Sequence, residues 1–381
     1  MRASKSLGMA ATQEQLYERL EYDAGLSWSE RALPQRLRTK HVHSLHPYLG
    51  KYVPQLVEEL LRRHVPAGGR VLDPFAGSGT TLVQALESGH DSVGVDIAAF
   101  NCLLMRVKTR EHNLFVLEHE LRDVLERFER GEGTAGRATA YLRRWFAPRS
   151  RAELLRFRSL LDEYESADVL RVVLARAARS ARLTTHFDLD FPRTPQTEPY
   201  WCHKHRRECR PVDHAGHFVR RYLLDTLVRL KEFGRLRGHR TAEVLHGDAR
   251  ALELPGTFAA VVTSPPYPGL IDYHEQHRYA YELLGLDDRR SSELGAAAGG
   301  TARAAIRAYV DGVADVLASS ARMLEPGGRV IVVVNDSRAL YPEILERAEL
   351  VLAVRHRRHV NRRTGRRAGE YFEDVLVAQR A

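Results

Sequence analysis

A serine, two prolines and a tyrosine directly follow an apolar segment, in the run Val261-Val-Thr-Ser-Pro-Pro-Tyr267. The apolar residues are typical of a buried strand, so the motif is expected at the strand's carboxyl end, where open α/β sheets bind ligands. Two consecutive prolines fix the backbone and remove two N–H donors, which leaves nearby carbonyl oxygens as acceptors only. Ser264 Oγ and the Pro265 carbonyl can then accept both hydrogens of an amino group on a planar base, while Tyr267 stacks on its ring.

A glycine-containing turn follows an earlier apolar segment, in the run Asp73-Pro-Phe-Ala-Gly-Ser-Gly79. Its two glycines allow the backbone to approach a bound nucleotide closely. Asp96 is expected at the end of the next strand, where a carboxylate can hold ribose hydroxyls. The alternatives are a turn that only packs a helix on a strand and a dinucleotide site. The second is disfavoured because no third glycine completes the motif and Asp73 suits a cationic ligand better than a pyrophosphate.

The elements that must position these motifs alternate between strand and helix patterns. β-Rich segments are predicted at 70–73, 92–97, 243–246, 258–263, 329–335, 350–356 and 371–378. Helical periodicity is found at 51–63, 80–87, 98–110 and 302–324. This order predicts an α/β fold: a mostly parallel seven-stranded sheet with helices on both faces. A short connection between the last two strands predicts an antiparallel hairpin at the end of the sheet.

The gap between the second and third predicted strands is too long for one βαβ step, which takes about 30 residues. Residues 111–242 are therefore predicted to be an insertion. It is largely helical by pattern, at 114–130, 137–180 and 217–237, and irregular from 184 to 214. The predicted organisation is an N-terminal extension at 1–40, one catalytic unit formed by 41–110 and 243–381, and this insertion.

Composition narrows the class of protein. The chain of 381 residues has 58 Lys and Arg against 49 Asp and Glu, a net charge of +9. This excess suits a polyanionic partner, although a GC-rich genome would produce the same preference for arginine. Three cysteines are too few for a disulfide scaffold, and no apolar run approaches the about 20 residues of a membrane span. We therefore expect a soluble, cytoplasmic protein that does not enter a membrane.

Taken together, the two motifs resemble those of the S-adenosylmethionine-dependent DNA amino-methyltransferases, over about 42–110 and 243–378. Asp73-Pro-Phe-Ala-Gly-Ser-Gly79 is similar to their cofactor motif. Ser264-Pro-Pro-Tyr267 is similar to their catalytic motif, in the serine form of the cytosine-N4 branch. The resemblance implies a Rossmann-like class I methyltransferase fold, S-adenosylmethionine as cofactor and double-stranded DNA as partner. It does not cover the insertion, which we expect to be the DNA- and target-recognition region.

Further matches extend the implied cofactor site. His46-Pro-Tyr-Leu-Gly-Lys-Tyr52 is similar to the segment that closes over the methionine end, and Gly247-Asp-Ala249 to the turn whose aspartate contacts the adenine amino group. Asp96 matches the ribose-binding acid, and Ile271-Asp-Tyr273 is similar to an extension in one bacterial subgroup. The implied cofactor-binding residues are His46, Tyr48, Lys51, Asp73, Pro74, Phe75, Ala76, Gly77, Ser78, Gly79, Thr80, Asp96, Ile97, Asp248 and Ala249. The implied catalytic residues are Ser264, Pro265, Pro266 and Tyr267.

The activity implied is direct methyl transfer to N4 of a cytosine that has been flipped out of the duplex. Carbon-5 methylation would need a cysteine nucleophile, typically after a proline, whereas the cysteines here follow Asn101, Trp201 and Glu208. Two alternatives stay open: an adenine-N6 DNA or RNA amino-methyltransferase, and an inactive DNA-binding module on the same fold. The implied setting is restriction-modification, with a cognate restriction endonuclease as partner, or epigenetic marking. The sequence predicts neither the recognition site nor the oligomeric state.

Two basic segments are predicted to contact phosphates. The stretch 355–367 has seven arginines and no acid, a charge of +7. The run Trp201-Cys-His-Lys-His-Arg-Arg-Glu-Cys-Arg210 also suggests zinc, with His214 and His217 nearby, but its spacing matches no common zinc finger, so no metal ligand is predicted. The predicted nucleic-acid-binding residues are Lys204, Arg206, Arg207, Arg210, Arg357, Arg358, Arg362, Arg363, Arg366 and Arg367.

Overall fold

The computed structural model describes residues 13–186, 188, 192–360 and 370–381. The strands of this part of the chain are β1 (Leu20–Tyr22), β2 (Val71–Asp73), β3 (Ser92–Asp96), β4 (Tyr200–Cys202), β5 (Arg207–Cys209), β6 (Ala242–His246), β7 (Phe258–Thr263), β8 (Leu324–Val334), β9 (Leu350–His359) and β10 (Phe372–Arg380).

The helices in the same residues are α1 (Gln13–Glu18), α2 (Gln35–Arg38), α3 (Pro54–His64), α4 (Thr80–Glu87), α5 (Ala99–Thr109), α6 (Leu114–Glu129), α7 (Ala140–Trp145), α8 (Pro148–Leu160), α9 (Ala167–Ala181), α10 (Gly216–Gly234), α11 (Tyr273–Gln276), α12 (Arg278–Leu284), α13 (Arg303–Arg322) and α14 (Tyr341–Arg347). Short 3₁₀ turns lie between several of them. No described helix is both long and apolar enough to cross a membrane.

Eight of the described strands form one sheet in the order β1-β9-β10-β8-β7-β2-β3-β6. Its neighbours pair in parallel, except that β10 runs antiparallel to β8 and β9. The predicted fold class is therefore confirmed, including the terminal hairpin. The reversal of strand order lies between β2 and β7, so the carboxyl ends of these strands border the crevice in which open α/β sheets bind ligands.

Both faces of the sheet are covered, because successive side chains of a strand point to opposite sides. In β8, Val330 and Val332 pack in an apolar cluster with α13 and α14. Ile331 and Val333 alternate with these valines along the strand and pack in a second cluster with α3. Continuous burial of a strand on both faces explains why its sequence is an unbroken apolar run rather than an alternating one.

The sheet has one strand more than the seven predicted from sequence. β1 lies at the edge and pairs in parallel with β9, with Leu20 opposite Arg355. Its three residues are all exposed, so no apolar pattern indicated it. The segment before it is also docked, since the hydroxyl of Tyr17 donates to Asp336 Oδ2 at 2.5 Å. The described part of the N-terminal extension is thus built into the catalytic unit.

The insertion is largely helical, as predicted, but with different helix ends. The pattern at 137–180 divides into α7, α8 and α9, because Pro148 starts a new helix and a turn at 164–166 separates the last two. The β4–β5 hairpin lies in the stretch predicted to be irregular. The apolar faces of α6, α8, α9 and α10 share one cluster with Phe100, Leu103, Leu104 and Val107 of α5. The insertion therefore packs directly on the sheet's own helical layer.

Candidate active site

A cavity opens at the carboxyl ends of β2, β3, β6 and β7. Most of the predicted cofactor residues line it. These are Tyr48, Lys51, Pro74, Phe75, Ala76, Gly77, Ser78, Thr80, Asp96, Ile97, Asp248 and Ala249. Ser264 and Pro266 of the predicted catalytic motif line the same cavity. The turns after four separate strands therefore bring the two motifs together across one space.

The turn after β2 depends on its glycines. Gly77 has φ 51° and Gly79 has φ 79°, backbone angles that residues other than glycine rarely adopt. A Cβ on Gly79 would lie 2.8 Å from Met105 Cγ in α5, and one on Gly77 would lie 3.0 Å from the Tyr48 hydroxyl. Gly79 thus serves helix packing and does not line the cavity, whereas Gly77 keeps the cavity wall open.

Asp73 lies beneath this turn and not in the cavity wall. It is 1% exposed, and one carboxylate oxygen accepts from Thr263 Oγ1 at 2.6 Å while the other accepts from Thr81 Oγ1 at 2.5 Å. Burial raises the pKa of the carboxyl, and these hydroxyl donors work against that rise. Asp73, which the sequence suggested as a contact for a cationic ligand, therefore binds the turn to β7 and α4 instead.

Asp96 is the acidic group that faces the cavity from the end of β3. Its Oδ2 accepts from the backbone N–H of Gly77 at 2.8 Å, and its Oδ1 accepts from Ala98 N–H at 2.8 Å and Asn101 Nδ2 at 3.0 Å. Burial raises the pKa of this carboxyl to about 7, although the three donors favour the charged form. A ligand that donates hydroxyl hydrogens here would favour ionisation further.

The segment 46–52 closes one side of the cavity. His46 does not line it; the ring is fully buried, with Nδ1 2.7 Å from the Pro47 carbonyl and Nε2 3.1 Å from the Tyr279 hydroxyl. This anchoring positions Tyr48, whose ring stacks on Tyr273 with centroids 5.4 Å apart. Lys51 lines the cavity, donates to the His43 carbonyl at 2.5 Å, and has its pKa lowered to about 8 by burial.

Three residues that the sequence did not suggest complete the site. Asn101 lines the cavity and donates to the Tyr48 hydroxyl at 3.1 Å. Glu293 lines it too, and accepts from the backbone N–H of Tyr273 at 2.7 Å. Lys108 is 1% exposed and donates to the Ser78 carbonyl at 2.5 Å, which supports the glycine turn from below. Local sequence contains no signal for Lys108, because Arg106 and Thr109 are polar residues of the same half of α5.

Asp248 reaches the cavity from the turn after β6. The guanidinium of Arg250 donates to both Oδ1 and Oδ2 and holds the pKa of this carboxyl below its ordinary value. The side chain is 40% exposed, so one face stays open toward the cavity. An ionised carboxylate is suited to accept from an amino group at this position.

The motif after β7 separates two cavities. Ser264 and Pro266 face the first, whereas Tyr267 lines a second. Tyr309, Asn335 and Asp336 also line that second space. Pro265 lines neither cavity, and its ring is buried. Successive residues of one short turn therefore face two neighbouring binding spaces.

The basic residues predicted to bind DNA differ in their surroundings. Lys204, Arg206, Arg207 and Arg210 are all exposed on the β4–β5 hairpin or directly after it. Arg357 is 37% exposed and donates to Asp374. The prediction that Arg358 contacts DNA disagrees with the structure. Its side chain is 4% exposed, and it donates to Glu373 Oε2 and to the Leu26 carbonyl. The predicted residues Arg362, Arg363, Arg366 and Arg367 lie outside the described part of the chain.

We expect Arg358→Ala to lower the free energy of unfolding by roughly 3–5 kcal/mol, because it leaves the carboxylate of Glu373, which is only 13% exposed, without its ion-pair partner. Urea unfolding of the purified protein measures this. The control is Arg357→Ala on the same strand, whose partly exposed side chain should cost about 1 kcal/mol or less. Unchanged stability together with weaker DNA binding would restore Arg358 as a DNA contact.

Comparisons with known proteins identify similar chains. A family model described as a DNA methylase matches residues 12–105. Type II methyltransferase M.MjaII of Methanocaldococcus jannaschii is 31% identical over 461 residues, which cover 95% of this chain and 87% of that protein. Type II methyltransferase M.BsoBI of Geobacillus stearothermophilus is 23% identical over 292 residues, 68% of this chain and 56% of that protein. M.MvaI of Kocuria varians, also a type II methyltransferase, is 22% identical over 244 residues, 59% of this chain and 53% of that protein.

Proposed function

Because the chain belongs to the S-adenosylmethionine-dependent DNA amino-methyltransferases, we propose that it methylates the N4 amino group of cytosine in double-stranded DNA. The observation that carries the choice of base is Ser264, an uncharged hydroxyl at the first position of the motif between the two cavities. The type II relatives support a double-stranded substrate and a role in restriction-modification. A cognate endonuclease as partner is part of the proposal. Only the N4 assignment depends on the serine.

The first cavity fits the cofactor. S-Adenosylmethionine supplies a methyl group bound to a positively charged sulfur. The carboxylate of Asp96 is proposed to accept from the ribose hydroxyls, and Asp248 from the adenine amino group. Tyr48 and Lys51 cover the methionine end, and the missing side chain at Gly77 leaves room between Tyr48 and the turn. The chemistry of these donors and acceptors, more than the volume, supports the match.

The second cavity is proposed to receive the flipped base, with Tyr267 against its ring. The cytosine amino nitrogen is a poor nucleophile, because its lone pair is delocalised into the ring. A hydrogen bond from it to Ser264 Oγ would favour a pyramidal nitrogen whose lone pair points into the first cavity, whereas Pro265, which lines neither cavity, would contribute only through its backbone carbonyl. In a direct transfer the nitrogen lone pair would form the bond to the methyl carbon while the sulfur–methyl bond breaks and a neutral thioether leaves. The extra proton of the methylated nitrogen would then pass to solvent, and no covalent enzyme intermediate is needed.

The test is to incubate the protein with DNA and isotopically labelled S-adenosylmethionine and to identify the modified nucleoside by mass spectrometry. We expect labelled N4-methylcytosine. Labelled N6-methyladenine would overturn the choice of base and keep the family. Cofactor binding in calorimetry with no transfer to any nucleic acid would instead favour an inactive DNA-binding module. Sequencing that reports modified bases in cells expressing the protein would then give the recognition site.

The arginines of the connection between β9 and β10 are proposed to bind phosphates. β9 runs parallel to β8 in the sheet, so it ends at the edge that holds the cavities, and Tyr371 before β10 lines the second one. Replacing Arg362, Arg363, Arg366 and Arg367 by glutamine should weaken DNA binding. The slope of log K against log salt should fall by about 0.9 for each phosphate that is no longer neutralised.

Titrations of fluorescent DNA at several salt concentrations measure both quantities. The control replaces Arg62 and Arg307 by glutamine, two exposed arginines that pair with Glu59 and Glu343. This change removes positive charge without touching the connection, so it should leave the salt slope almost unaltered. A slope that stays unchanged in the fourfold variant would count against phosphate binding by these arginines.

A further inference from the structure

Two thiols and two imidazoles meet in the irregular part of the insertion, away from the two cavities described above. Cys202 and Cys209 are the last residues of β4 and β5, and His205 lies in the turn between these strands. His186 follows α9 and reaches the hairpin from outside it. One ligand atom from each of the four lies within 4.8 Å of every other. The four side chains thus surround a single point.

The spacing of the donor atoms matches a tetrahedral metal site. Zinc bonds of about 2.3 Å to sulfur and about 2.0–2.1 Å to nitrogen place two such ligands about 3.5 Å apart at the tetrahedral angle. The Nδ1 of His205 is 3.6 Å from Cys202 Sγ and 3.5 Å from Cys209 Sγ. The imidazole of His186 lies near Cys202 Sγ as well, with its Nδ1 at 3.7 Å.

Tyr200 supports His186 in this arrangement. Its hydroxyl lies 2.8 Å from Nδ1 of His186 and accepts from the backbone N–H of the same residue at 2.9 Å. Ligation through Nε2 would leave the Nδ1 contact in place. Ligands of metal ions commonly have the second ring nitrogen held in this way, which fixes the orientation of the ring.

We propose that His186, Cys202, His205 and Cys209 bind one zinc ion that stabilises the β4–β5 hairpin. Two sulfur and two nitrogen ligands in tetrahedral array favour zinc over the hard cations, and four protein ligands leave no open position for catalysis. The hairpin needs such support because its strands have three residues each, and an isolated two-stranded ribbon is marginal in water. Of its strand residues, only the two cysteines are buried.

The pattern of ligands explains why the sequence did not predict metal binding. Cys202, His205 and Cys209 supply three ligands, and the fourth comes from a residue before the hairpin. His214 and His217, which lie near the hairpin in sequence, are otherwise engaged: His214 pairs with Asp213 at 2.7 Å and His217 packs on Phe218. The geometry therefore favours zinc over the sequence-based expectation of no metal.

The stabilised hairpin would present a surface suited to DNA. This role in DNA binding rests on the proposed function. Trp201 is 59% exposed beside the ligand Cys202. Lys204, Arg206 and Arg210 are exposed on the same short segment. Cationic side chains around an exposed aromatic ring combine phosphate attraction with a surface for base contact. Zinc would fix these side chains in one arrangement before DNA binds.

The metal is tested on the full-length protein, purified without a metal-chelating column, by elemental analysis and by replacement of zinc with Co²⁺. We expect one zinc per chain and a thiolate-to-cobalt charge-transfer band with tetrahedral ligand-field absorption. The double variant Cys202→Ser, Cys209→Ser should lose both. His203→Ala, in the same turn but outside the cluster, should keep both. His186→Ala should weaken metal retention.

Absence of zinc in the wild-type protein, even after reconstitution, would overturn the site. So would zinc retained in the double cysteine variant, or a Cys202–Cys209 disulfide found in protein kept under reducing conditions. Binding of S-adenosylmethionine, measured by calorimetry, shows whether each variant is folded, because the cofactor cavity contains none of the four ligands.

The proposed role of the hairpin in DNA binding is tested separately, by measuring DNA affinity. The zinc-free variant should bind DNA about tenfold or more weakly while its affinity for S-adenosylmethionine is unchanged. Bound zinc in the wild-type protein, with undiminished DNA affinity in the zinc-free variant, would overturn the DNA-presenting role. A wild-type protein that transfers no methyl group to DNA would overturn the proposed function, and the zinc analysis would be unaffected by that result.

Discussion

Replacement of Ser264 by alanine is expected to lower the rate constant of methyl transfer by about 10²–10³-fold and to leave the Kd for S-adenosylmethionine nearly unchanged. Ser264 Oγ faces the first cavity from the motif that divides the two spaces, where it is proposed to accept a hydrogen from the target amino group. That hydrogen bond strengthens as positive charge develops on the nitrogen, so its loss affects the transition state more than the bound cofactor.

Single-turnover kinetics with preformed complex measure the rate constant, and calorimetry measures cofactor binding. Ser88→Ala at the exposed end of α4 is the matched control, since it removes the same hydroxyl far from the motif. The control should turn over at the wild-type rate. Wild-type rates for Ser264→Ala would remove this side chain from the mechanism. A large loss of cofactor affinity would give it a binding role instead.

The second large effect concerns Asp96 and depends on pH. The carboxyl is expected to hold the ribose by charge-assisted hydrogen bonds, each contributing about 1.5–3 kcal/mol, so Asp96→Asn should raise the Kd for S-adenosylmethionine by about 100-fold. Burial raises the pKa of Asp96 in the ligand-free protein to about 7. Hydroxyl donors prefer the ionised carboxylate. Protonation below pH 7 therefore competes with binding, and affinity falls as the pH is lowered.

Between pH 8 and pH 6 the Kd of the wild-type protein should rise by about tenfold, since each pH unit below the pKa costs up to a factor of 10. Asp96→Asn should abolish this dependence. Asp248→Asn is the matched control: the pKa of Asp248 lies below its ordinary value, so this group stays ionised throughout the range. The control should weaken binding yet keep the pH profile. A flat profile in the wild-type protein would contradict the assignment.

The sequence predicted those parts of the site that are fixed by position on a strand. Asp96 and Ser264 stand at strand ends, and parallel strands bring their carboxyl ends to one edge whatever lies between them in the chain. Glu293 and Lys108 could not be found in this way. Each reaches the site through the packing of a loop or helix against the turns, and that packing depends on contacts with no signature in local sequence.

The charge counted along the stretch 355–367 also differs from what the structure shows. The stretch 355–367 contains seven arginines, but β10 pairs with its first part in β9, where two acids form ion pairs with three of the arginines. Arg355 and Arg357 pair with Asp374, and Arg358 pairs with Glu373. The pairing register across an antiparallel hairpin decides which charges are neutralised, and a sum over consecutive residues contains no such information. The proposal that this stretch binds phosphate therefore rests on Arg362, Arg363, Arg366 and Arg367.

Helix α5 belongs to both halves of the molecule. Asn101 lines the cofactor cavity and Lys108 donates to the glycine turn, whereas Phe100 and Leu104, on the neighbouring face of the helix, pack into the core of the insertion. If the insertion binds DNA as proposed, α5 connects the two binding regions and would couple them. Reciprocity would then require that the factor by which the cofactor changes DNA affinity equal the factor by which DNA changes cofactor affinity.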